Sequence, residues 1–285
     1  MDALERLASL GGVARRSALG RSAGVARALA DAYAAGALRD LGGGWIAAVG
    51  ADAAVVAARR FGATITCATA ARFHGLALLT EPDQVHLAVP IDRGTGSRRG
   101  GLRAVVHREG LWTEPEETSV PLAPVAEVLA RALRCLPPRE AVVMIDSALN
   151  QRLIEVEEIV RSLAGPGSPR ARRTLERCDA GSRSVNETIA RLELIEAGLR
   201  VAAAVVIEGV GEVDLVIEGR VVVECDGYAY HSGRREYQRD RQRDRALVAL
   251  GYRVLRFTST EILRAPQDVV VAVLQALAAP AVPAA

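Results

Sequence analysis

Residues 212–227 read Glu212-Val-Asp214-Leu-Val-Ile217, then Glu218-Gly-Arg220, then Val221-Val-Val-Glu224-Cys-Asp226-Gly227. This stretch predicts two apolar strands joined by a tight turn, with acidic side chains in or beside them. An ionised carboxylate in a buried strand is strongly unfavourable unless a cation or a hydrogen-bond partner compensates its lost hydration. Asp214, Glu224 and Asp226 together therefore indicate a divalent-cation site.

The geometry of a hairpin predicts which acids meet. Side chains alternate between the two faces of a strand, so Glu224 and Asp226 share one face. If the strands pair through residues 218–220, their register can bring Asp214 and Glu224 to the same end. Carboxylate oxygens suit Mg²⁺ or Mn²⁺ better than zinc. We therefore expect Mg²⁺ or Mn²⁺ as the cofactor, with Asp214, Glu224 and Asp226 as its ligands.

The elements around this hairpin follow a recognisable order. Ser184-Val-Asn-Glu187 opens an amphipathic helix, residues 234–250 read as a basic helix, and residues 252–257 read as an apolar strand. This order resembles the restriction-endonuclease-like nucleases, and more closely the nuclease domain related to the very-short-patch repair endonucleases. The positions that carry the resemblance are Ser184, Glu187, Asp214, Glu224, Asp226, Gly227, His231, Asp240, Arg243, Leu247, Gly251, Tyr252, Arg256 and Phe257.

The resemblance implies a C-terminal α/β/α domain that hydrolyses DNA phosphodiesters with the help of a metal. Asp214 and Glu224 would hold the metal, and Glu187 would reach it from the helix. The superfamily pattern is Asp followed by Glu-x-Lys, but Asp226 stands at the lysine position and the chain contains no lysine. Either Asp226 is a further metal ligand or the site has lost catalysis.

His231 or Arg243 could supply the missing proton transfer or charge stabilisation. Simpler explanations remain open for several of these residues. Glu187 has the spacing of a capping box from Ser184, and Asp226 could belong to a turn that ends its strand. His231 could be an incidental loop residue, and Arg243 could lie on a solvated helix face of alternating charge.

The N-terminal stretch predicts short helices followed by a hairpin. Residues 2–10, a segment within residues 11–19, and residues 22–35 read as three helices, and residues 37–49 read as a hairpin with a glycine tip. This is the pattern of a winged helix-turn-helix. The region resembles the N-terminal domain of the abortive-infection type IV antitoxins, with Trp45 in place of the usual Tyr.

Local basic patches are the places where DNA could bind. The net charge of +2 excludes a globally basic nucleic-acid binder. Winged helices also serve as protein-contact modules, so DNA contact by this region is one of two readings. The candidate nucleic-acid-binding residues are Arg15, Arg16, Arg21, Arg27, Arg234, Arg235 and Arg239.

The domain organisation predicted from the sequence has three parts and a mixed α/β fold class. They are a winged helix-turn-helix over residues 1–50, an antitoxin-like α/β and helical middle region over 51–164, and a restriction-endonuclease-like domain over 165–285. The Gly/Pro-rich stretch at 165–170 is the clearest break between them. The start of the chain lacks the pattern of a signal peptide, and we expect a cytoplasmic protein without a membrane span.

The cysteines and histidines predict no soft-metal site. Cys67, Cys135, Cys178 and Cys225 form no Cys-x-x-Cys or His-Cys cluster in the sequence. This argues against zinc and favours buried, reduced thiols. The histidines at 74, 86 and 107 are expected to pack or to form hydrogen bonds rather than to bind a metal.

The sequence thus predicts a metal-dependent DNA endonuclease directed by a winged-helix module, in DNA repair or phage defence. It could act as a homodimer or with a partner protein. The alternative is a non-catalytic, antitoxin-like transcriptional regulator with a degenerate nuclease fold, which the missing lysine favours. A third reading is a structural partner in a toxin or defence complex.

Overall fold

The computed structural model describes residues 2–93, 103–110, 112, 114–117, 119–163, 168–226 and 234–279, and the side chains of 234–240 lie outside the description. Contacts divide the chain into two compact units. The N-terminal unit comprises Met1–Leu76 and Thr80–Cys135, and the C-terminal unit comprises Ala77–Leu79 and Leu136–Ala285. The division into three domains, drawn from sequence similarity rather than from contacts, stays a prediction.

The N-terminal unit begins with short helices and a small sheet. Its first elements are α1 (Ala3–Ser9), β1 (Val13–Arg15), a 3-10 helix (Arg16–Leu19), α2 (Ala23–Ala34), β2 (Leu38–Gly42) and β3 (Trp45–Ala48). The strands form an antiparallel sheet in the order β1-β3-β2, so the predicted hairpin is confirmed. The predicted third helix is also confirmed, and Ser22 caps it by accepting the Val25 N–H.

The second predicted helix is only partly right. Gly11 and Gly12 both adopt positive φ, at 77° and 76°, a conformation that glycine reaches without steric cost. The turn that they make directs residues 13–15 alongside β3, where they form β1. Helical structure is therefore confined to the single 3-10 turn that follows.

The rest of the N-terminal unit is α/β. It contains α3 (Ala53–Phe61), β4 (Thr64–Ile65), α4 (Cys67–Ala71), β5 (Val85–Pro90), β6 (Ala104–Glu109) and α5 (Val125–Cys135). The sheet order is β4-β5-β6, with β4 antiparallel and β6 parallel to β5. Ile65, Leu87 and Leu129 are fully buried in this part of the unit.

The C-terminal unit contains a four-stranded sheet with helices on both faces. Its elements are α6 (Pro138–Asn150), α7 (Val156–Ser162), α8 (Ser168–Leu175), α9 (Val185–Glu196), β7 (Val201–Ile207), β8 (Gly211–Ile217), β9 (Val221–Asp226), α10 (Arg234–Ala249), β10 (Arg253–Thr258), α11 (Ser259–Arg264) and α12 (Pro266–Ala278). The strand order is β7-β8-β9-β10, antiparallel except for the parallel β9–β10 pair.

Two apolar clusters cover the faces of this sheet. One joins Leu215 and Val223 to residues of α9, α11 and α12, and the other joins Val216 and Val222 to Leu247 of α10. Alternation along β8 and β9 explains why successive valines enter different clusters. The mixed α/β class predicted from the sequence is confirmed, and a C-terminal restriction-endonuclease-like domain is consistent with this layering.

A buried ion pair fixes the position of α9. Arg191 donates to Asp146 of α6 at 2.8 Å, and both side chains are almost fully buried. Thr188 and the Asp179 N–H also donate to this carboxylate, each at 2.8 Å. Burial nevertheless raises the pKa of Asp146 to about 6, with Arg191 opposing the rise. The pair therefore anchors α9, whose first turn carries Glu187, to α6.

Within the described residues, no helix combines the length and apolar character that a membrane span requires.

Candidate functional site

The β8–β9 hairpin has the turn and register that the sequence predicts. Glu218 and Gly219 both have positive φ, at 51° and 65°, and the Arg220 N–H donates to the Ile217 carbonyl at 3.0 Å. Positive φ at both central residues gives the twist that a two-stranded hairpin needs. Ile217 pairs with Val221, and the same register continued along the strands sets residue 214 opposite residue 224.

Asp214 is held between the two strands and the segment before α9. Its side chain is 15% exposed. One carboxylate oxygen accepts the Cys225 N–H at 2.8 Å, and the other accepts from the Arg183 guanidinium at 2.6 Å. Because the first bond reaches the neighbouring strand's backbone, the carboxylate lies along β9 at the level of Glu224.

Glu224 is the most buried acid of β8 and β9, with 7% of its surface exposed. Arg243 of α10 donates to its Oε1 at 3.0 Å and also to the Glu212 carbonyl. Burial raises the pKa of Glu224 to about 7, and the negative charge of Asp214 adds to the rise, while Arg243 and Arg256 oppose it. A carboxyl group with this pKa changes between its protonated and ionised forms near neutral pH.

Asp226 ends β9 and is half-buried beside a third arginine. Arg256 of β10 approaches its carboxylate at 3.5 Å and donates to Asp244 of α10 at 2.6 Å. The backbone carbonyl of Asp226 accepts from the Ser259 hydroxyl at 3.2 Å. Glu224 and Asp226 therefore each face a guanidinium group from a neighbouring element.

Glu187 is 5% exposed in the first turn of α9. The Ser184 hydroxyl accepts the Glu187 N–H at 3.2 Å, so Ser184 is the cap. The returning bonds to the Glu187 carboxylate come from the Arg183 N–H and the Ser184 hydroxyl, each at 2.9 Å, rather than from the Ser184 N–H of a standard capping box. This cap directs the carboxylate toward Arg183.

Arg183 connects three of the acids, and the sequence analysis missed it. Its guanidinium lies 3.6 Å from the Glu187 carboxylate and donates to both Glu212 and Asp214. Burial would lower the pKa of Arg183, but the three negative charges outweigh that effect and raise it. The sequence signal for Arg183 is its place directly before the cap of α9. Glu212, Asp244 and Arg256 were also not assigned roles.

Several of the predicted site residues lie outside the described part of the chain or in the N-terminal unit. His231 lies outside the described residues, as do the side chains of Arg234, Arg235 and Arg239. In the N-terminal unit, Arg15 pairs with Glu117 at 2.7 Å and lies 4.9 Å from the centre of the Trp45 ring.

Three further predicted arginines belong to the same unit. Arg16 lies 5.5 Å from the centre of the Tyr33 ring. Arg21 and Arg27, just before and within α2, are exposed. Solvent exposure leaves these two guanidinium groups accessible to a polyanion, but DNA contact stays a prediction.

The expectation that cysteines and histidines form no cluster is wrong. Cys67, His86, His107 and Cys135 bring their ligand atoms within 4.8 Å of one another. They come from four elements that the fold assembles, so no short spacing reveals them. The expectation of buried thiols is also wrong for Cys135, which is exposed, and only partly right for Cys178, although all four cysteines are free.

The comparisons with known proteins bear on the C-terminal unit. Residues 187–277 match the family model REase_MTES_1575, a restriction-endonuclease-like domain, and a match to such a domain suggests nuclease activity in general. The match begins at Glu187 and includes Asp214, Glu224 and Asp226.

Among solved structures, the chain is similar to the RV2827C protein from Mycobacterium tuberculosis, with 19% identity and a TM-score of 0.37 over 61% of this chain and 76% of that one. A similarity of this size carries no functional conclusion. No curated protein shows significant similarity to the chain.

Proposed function

We propose that this protein is a Mg²⁺- or Mn²⁺-dependent endonuclease that hydrolyses DNA phosphodiesters. The observation that carries the proposal is that Asp214 and Glu224 lie side by side on paired strands, inside the residues matched by a restriction-endonuclease-like family. The match to the family model suggests nuclease activity in general. The metal, the cleavage of DNA within the strand and the roles of individual residues are the proposal.

The residues present fit a hard divalent cation. Asp214, Glu224 and Asp226 offer carboxylate oxygens only, the donors that Mg²⁺ and Mn²⁺ prefer. The negative charge of Asp214 helps to raise the pKa of Glu224, which shows that the two acids repel each other and that positive charge between them would be favourable. When bound, the cation would acidify a water molecule and offset negative charge on the phosphoryl oxygens.

Arginines of the protein would bind the phosphate of the DNA. A guanidinium group matches the geometry of phosphate oxygens and stays charged at every physiological pH. Arg243 already lies against Glu224 at 3.0 Å, so a phosphate bound beside that carboxylate would meet its donors. We assign Arg243 the charge stabilisation that the absent lysine would otherwise provide.

Two acids and one histidine complete the proposed catalytic set. Asp226 would be a further metal ligand, consistent with its place two residues after Glu224 on the same face of β9. Glu187 would act from α9 through its contact with Arg183, the residue that holds Asp214. His231 would transfer a proton, the role that histidine most often has in general acid–base catalysis.

The N-terminal module would place the enzyme on DNA. We propose a winged helix-turn-helix related to the abortive-infection type IV antitoxins, with Arg15, Arg16, Arg21 and Arg27 near the phosphates, and Arg234, Arg235 and Arg239 serving the nuclease domain. The very-short-patch-repair-like branch favours a cytoplasmic role in DNA repair or phage defence. The protein could act as a homodimer or with a partner protein.

A non-catalytic regulator is the second candidate. The observation that favours it is that Glu187, Asp214 and Glu224 each contact an arginine of the same unit, so their charges are compensated without a metal. Such a protein would bind its own promoter DNA equally well with and without Mg²⁺. Failure to shift that DNA under either condition would remove this candidate.

Cleavage of labelled DNA tests the first proposal. Duplex, single-stranded, mismatched and branched substrates are incubated with Mg²⁺, with Mn²⁺ or without added metal. The proteins are the wild type, Glu224→Gln, Asp214→Asn and, as a matched control, Glu208→Gln, which changes an exposed acid in the β7–β8 turn of the same sheet.

We expect the two site variants to lose at least about 100-fold in rate, as removal of a group that stabilises the reacting charge does. The control should retain full activity. If the wild type binds these substrates but cuts none of them, the endonuclease proposal fails and the regulator replaces it.

A further inference from the structure

Four side chains of types that can bind a metal converge in the N-terminal unit. Cys67 begins α4, His86 lies in β5, His107 lies in β6 and Cys135 ends α5. All four ligand atoms lie within 4.8 Å of one another. His86 Nδ1 is 3.2 Å from His107 Nε2 and 3.8 Å from Cys135 Sγ.

The strand register explains how the two imidazoles meet. β5 and β6 are parallel, and Ala88 pairs with His107. Residues two apart on a strand share a face, so His86 and His107 lie diagonally on one face of the sheet. α4 follows β4 of the same sheet and brings Cys67 to the cluster, and α5 brings Cys135.

The separations match those of ligands around a single tetrahedral ion. Zinc–nitrogen bonds of about 2.0–2.1 Å and zinc–sulfur bonds of about 2.3 Å put neighbouring ligands about 3.3 Å apart for N–N, about 3.5 Å for N–S and about 3.8 Å for S–S. The two measured distances agree with these values to within a few tenths of an ångström. The other ligand pairs lie within 4.8 Å, so none has to close by more than about 1.3 Å to reach these values.

One contact of Cys67 suits a metal-bound thiolate. The Ala68 N–H donates a hydrogen bond to the Cys67 sulfur, and amide donation of this kind is common at thiolate ligands of metals.

Cys67 carries a second sign of a specialised position. Its φ is 51°, in the left-handed region that a residue with a side chain seldom adopts. Such backbone strain persists only where the surrounding structure maintains it, and it concentrates at functional sites. Here it turns the thiol of a fully buried residue toward the two imidazoles.

We propose that Cys67, His86, His107 and Cys135 bind one Zn²⁺ ion in a tetrahedral S₂N₂ site of the N-terminal unit. Two thiolates and two neutral imidazoles are a donor set that selects zinc over Mg²⁺ or Mn²⁺. Binding releases the protons of both thiols to solvent and leaves each histidine neutral. Because four protein ligands fill the coordination shell, the site is structural and joins α4, β5, β6 and α5.

The metal has a route into the site. Cys67, His86 and His107 are buried, whereas Cys135 is exposed at the end of α5. The ion would meet Cys135 first and then reach the three buried ligands. An exposed ligand also leaves room for a larger side chain at that position.

Metal content and a cobalt spectrum of the full chain test the proposal. The reduced protein is purified without chelators, its zinc is measured by mass spectrometry, and the zinc is then exchanged for Co²⁺. We expect about one zinc per chain, and a Co²⁺ spectrum with the sulfur-to-cobalt charge-transfer band and the strong visible bands of a tetrahedral thiolate site. The wild-type spectrum tests the proposed site by itself, so this result does not depend on whether any variant folds.

Variants then assign the ligands. Cys67→Ser and Cys135→Ala should lose zinc, and Cys178→Ser, a cysteine of the C-terminal unit, should keep it. Cys135→His should retain one zinc and lose about half of the sulfur-to-cobalt band, since one thiolate remains.

Three outcomes would overturn the inference. They are a reduced wild type that takes up no Zn²⁺ or Co²⁺, an unchanged zinc content in both Cys67→Ser and Cys135→Ala, and purification with iron and sulfide in place of zinc.

Discussion

Arg183 donates to Asp214 at 2.6 Å, at the place where a divalent cation is proposed to bind. The same guanidinium contacts Glu187 and Glu212, so three acids share one positive charge. A metal ion and a guanidinium group repel each other and compete for the same oxygens. A cation bound at Asp214 would therefore compete with Arg183 for the carboxylate.

Removing Arg183 should tighten metal binding. Arg183→Gln takes away the competing charge, and because this arginine is 40% exposed we expect a modest gain, about 3- to 10-fold in Mn²⁺ affinity by calorimetry. Arg200→Gln, which breaks an exposed pair with Glu218 on the same sheet, should change nothing. Weaker binding in Arg183→Gln would mean that Arg183 organises the acids for the metal instead of competing with it.

Glu224 should make the metal-free protein less stable as the pH rises. Its folded pKa of about 7 lies above the ordinary value of 4.5, so the folded state holds the proton more tightly than the unfolded state. The contribution of this group to stability is therefore full below about pH 4.5 and is lost as the pH rises through 7.

The change that tests this is Glu224→Gln without metal. It should raise the free energy of unfolding by about 1–3 kcal/mol at pH 8, relative to the wild type, and by less at pH 5. Denaturant titrations at both pH values measure the difference, with Glu208→Gln as the control. A variant that is less stable than the wild type at pH 8 would contradict the expectation.

Breaking the buried Asp146–Arg191 pair should be costly. Asp146→Ala leaves a guanidinium group with 3% exposure without its carboxylate, and we expect a loss of about 3–5 kcal/mol in the free energy of unfolding. Glu218→Ala, which breaks the pair with the exposed Arg200, should cost far less. The double variant Asp146→Ala/Arg191→Leu should lose less than the sum of the single changes, and strict additivity would refute the coupling.

Exposed arginines of the N-terminal unit should matter more for DNA binding than Arg15. Arg21→Gln/Arg27→Gln removes two exposed charges that form no ion pair within the described part of the chain, and it should lower the slope of log affinity against log salt by about 2. Arg15→Gln should have a smaller effect, because Glu117 already balances Arg15. Fluorescence anisotropy at several salt concentrations measures the DNA affinity of both variants. Equal effects would show that the ion pair with Glu117 does not reduce the contribution of Arg15 to DNA binding.

The hairpin was predictable because every signal in it is local. A glycine-containing turn sets its length, and period-two alternation sets the faces, so the placing of Asp214 against Glu224 follows from residues 212–227 alone. β1 was missed because its pairing with β3 is not encoded in its own three residues. Only the turn at Gly11 and Gly12 directs it there.

The arginine contacts and the Cys/His cluster were not predictable for a related reason. Arg183 meets Asp214 across 31 positions of sequence, and Cys67 meets Cys135 only after two strands and two helices have packed. Spacing rules detect ligands that share one loop or one helix face. Ligands contributed singly by separate elements carry no such spacing, and only the folded arrangement reveals them.

The two ligand sets differ in chemical hardness, and on both proposals this gives the protein two independent metal requirements. Sulfur and imidazole around Cys135 retain zinc at concentrations too low for oxygen ligands, whereas the carboxylates of β8 and β9 need the abundant Mg²⁺ of a cell. Zinc starvation would remove the link between α4, α5, β5 and β6 and so weaken DNA capture by the N-terminal unit. Magnesium starvation would leave a protein that still captures DNA and does not cut it.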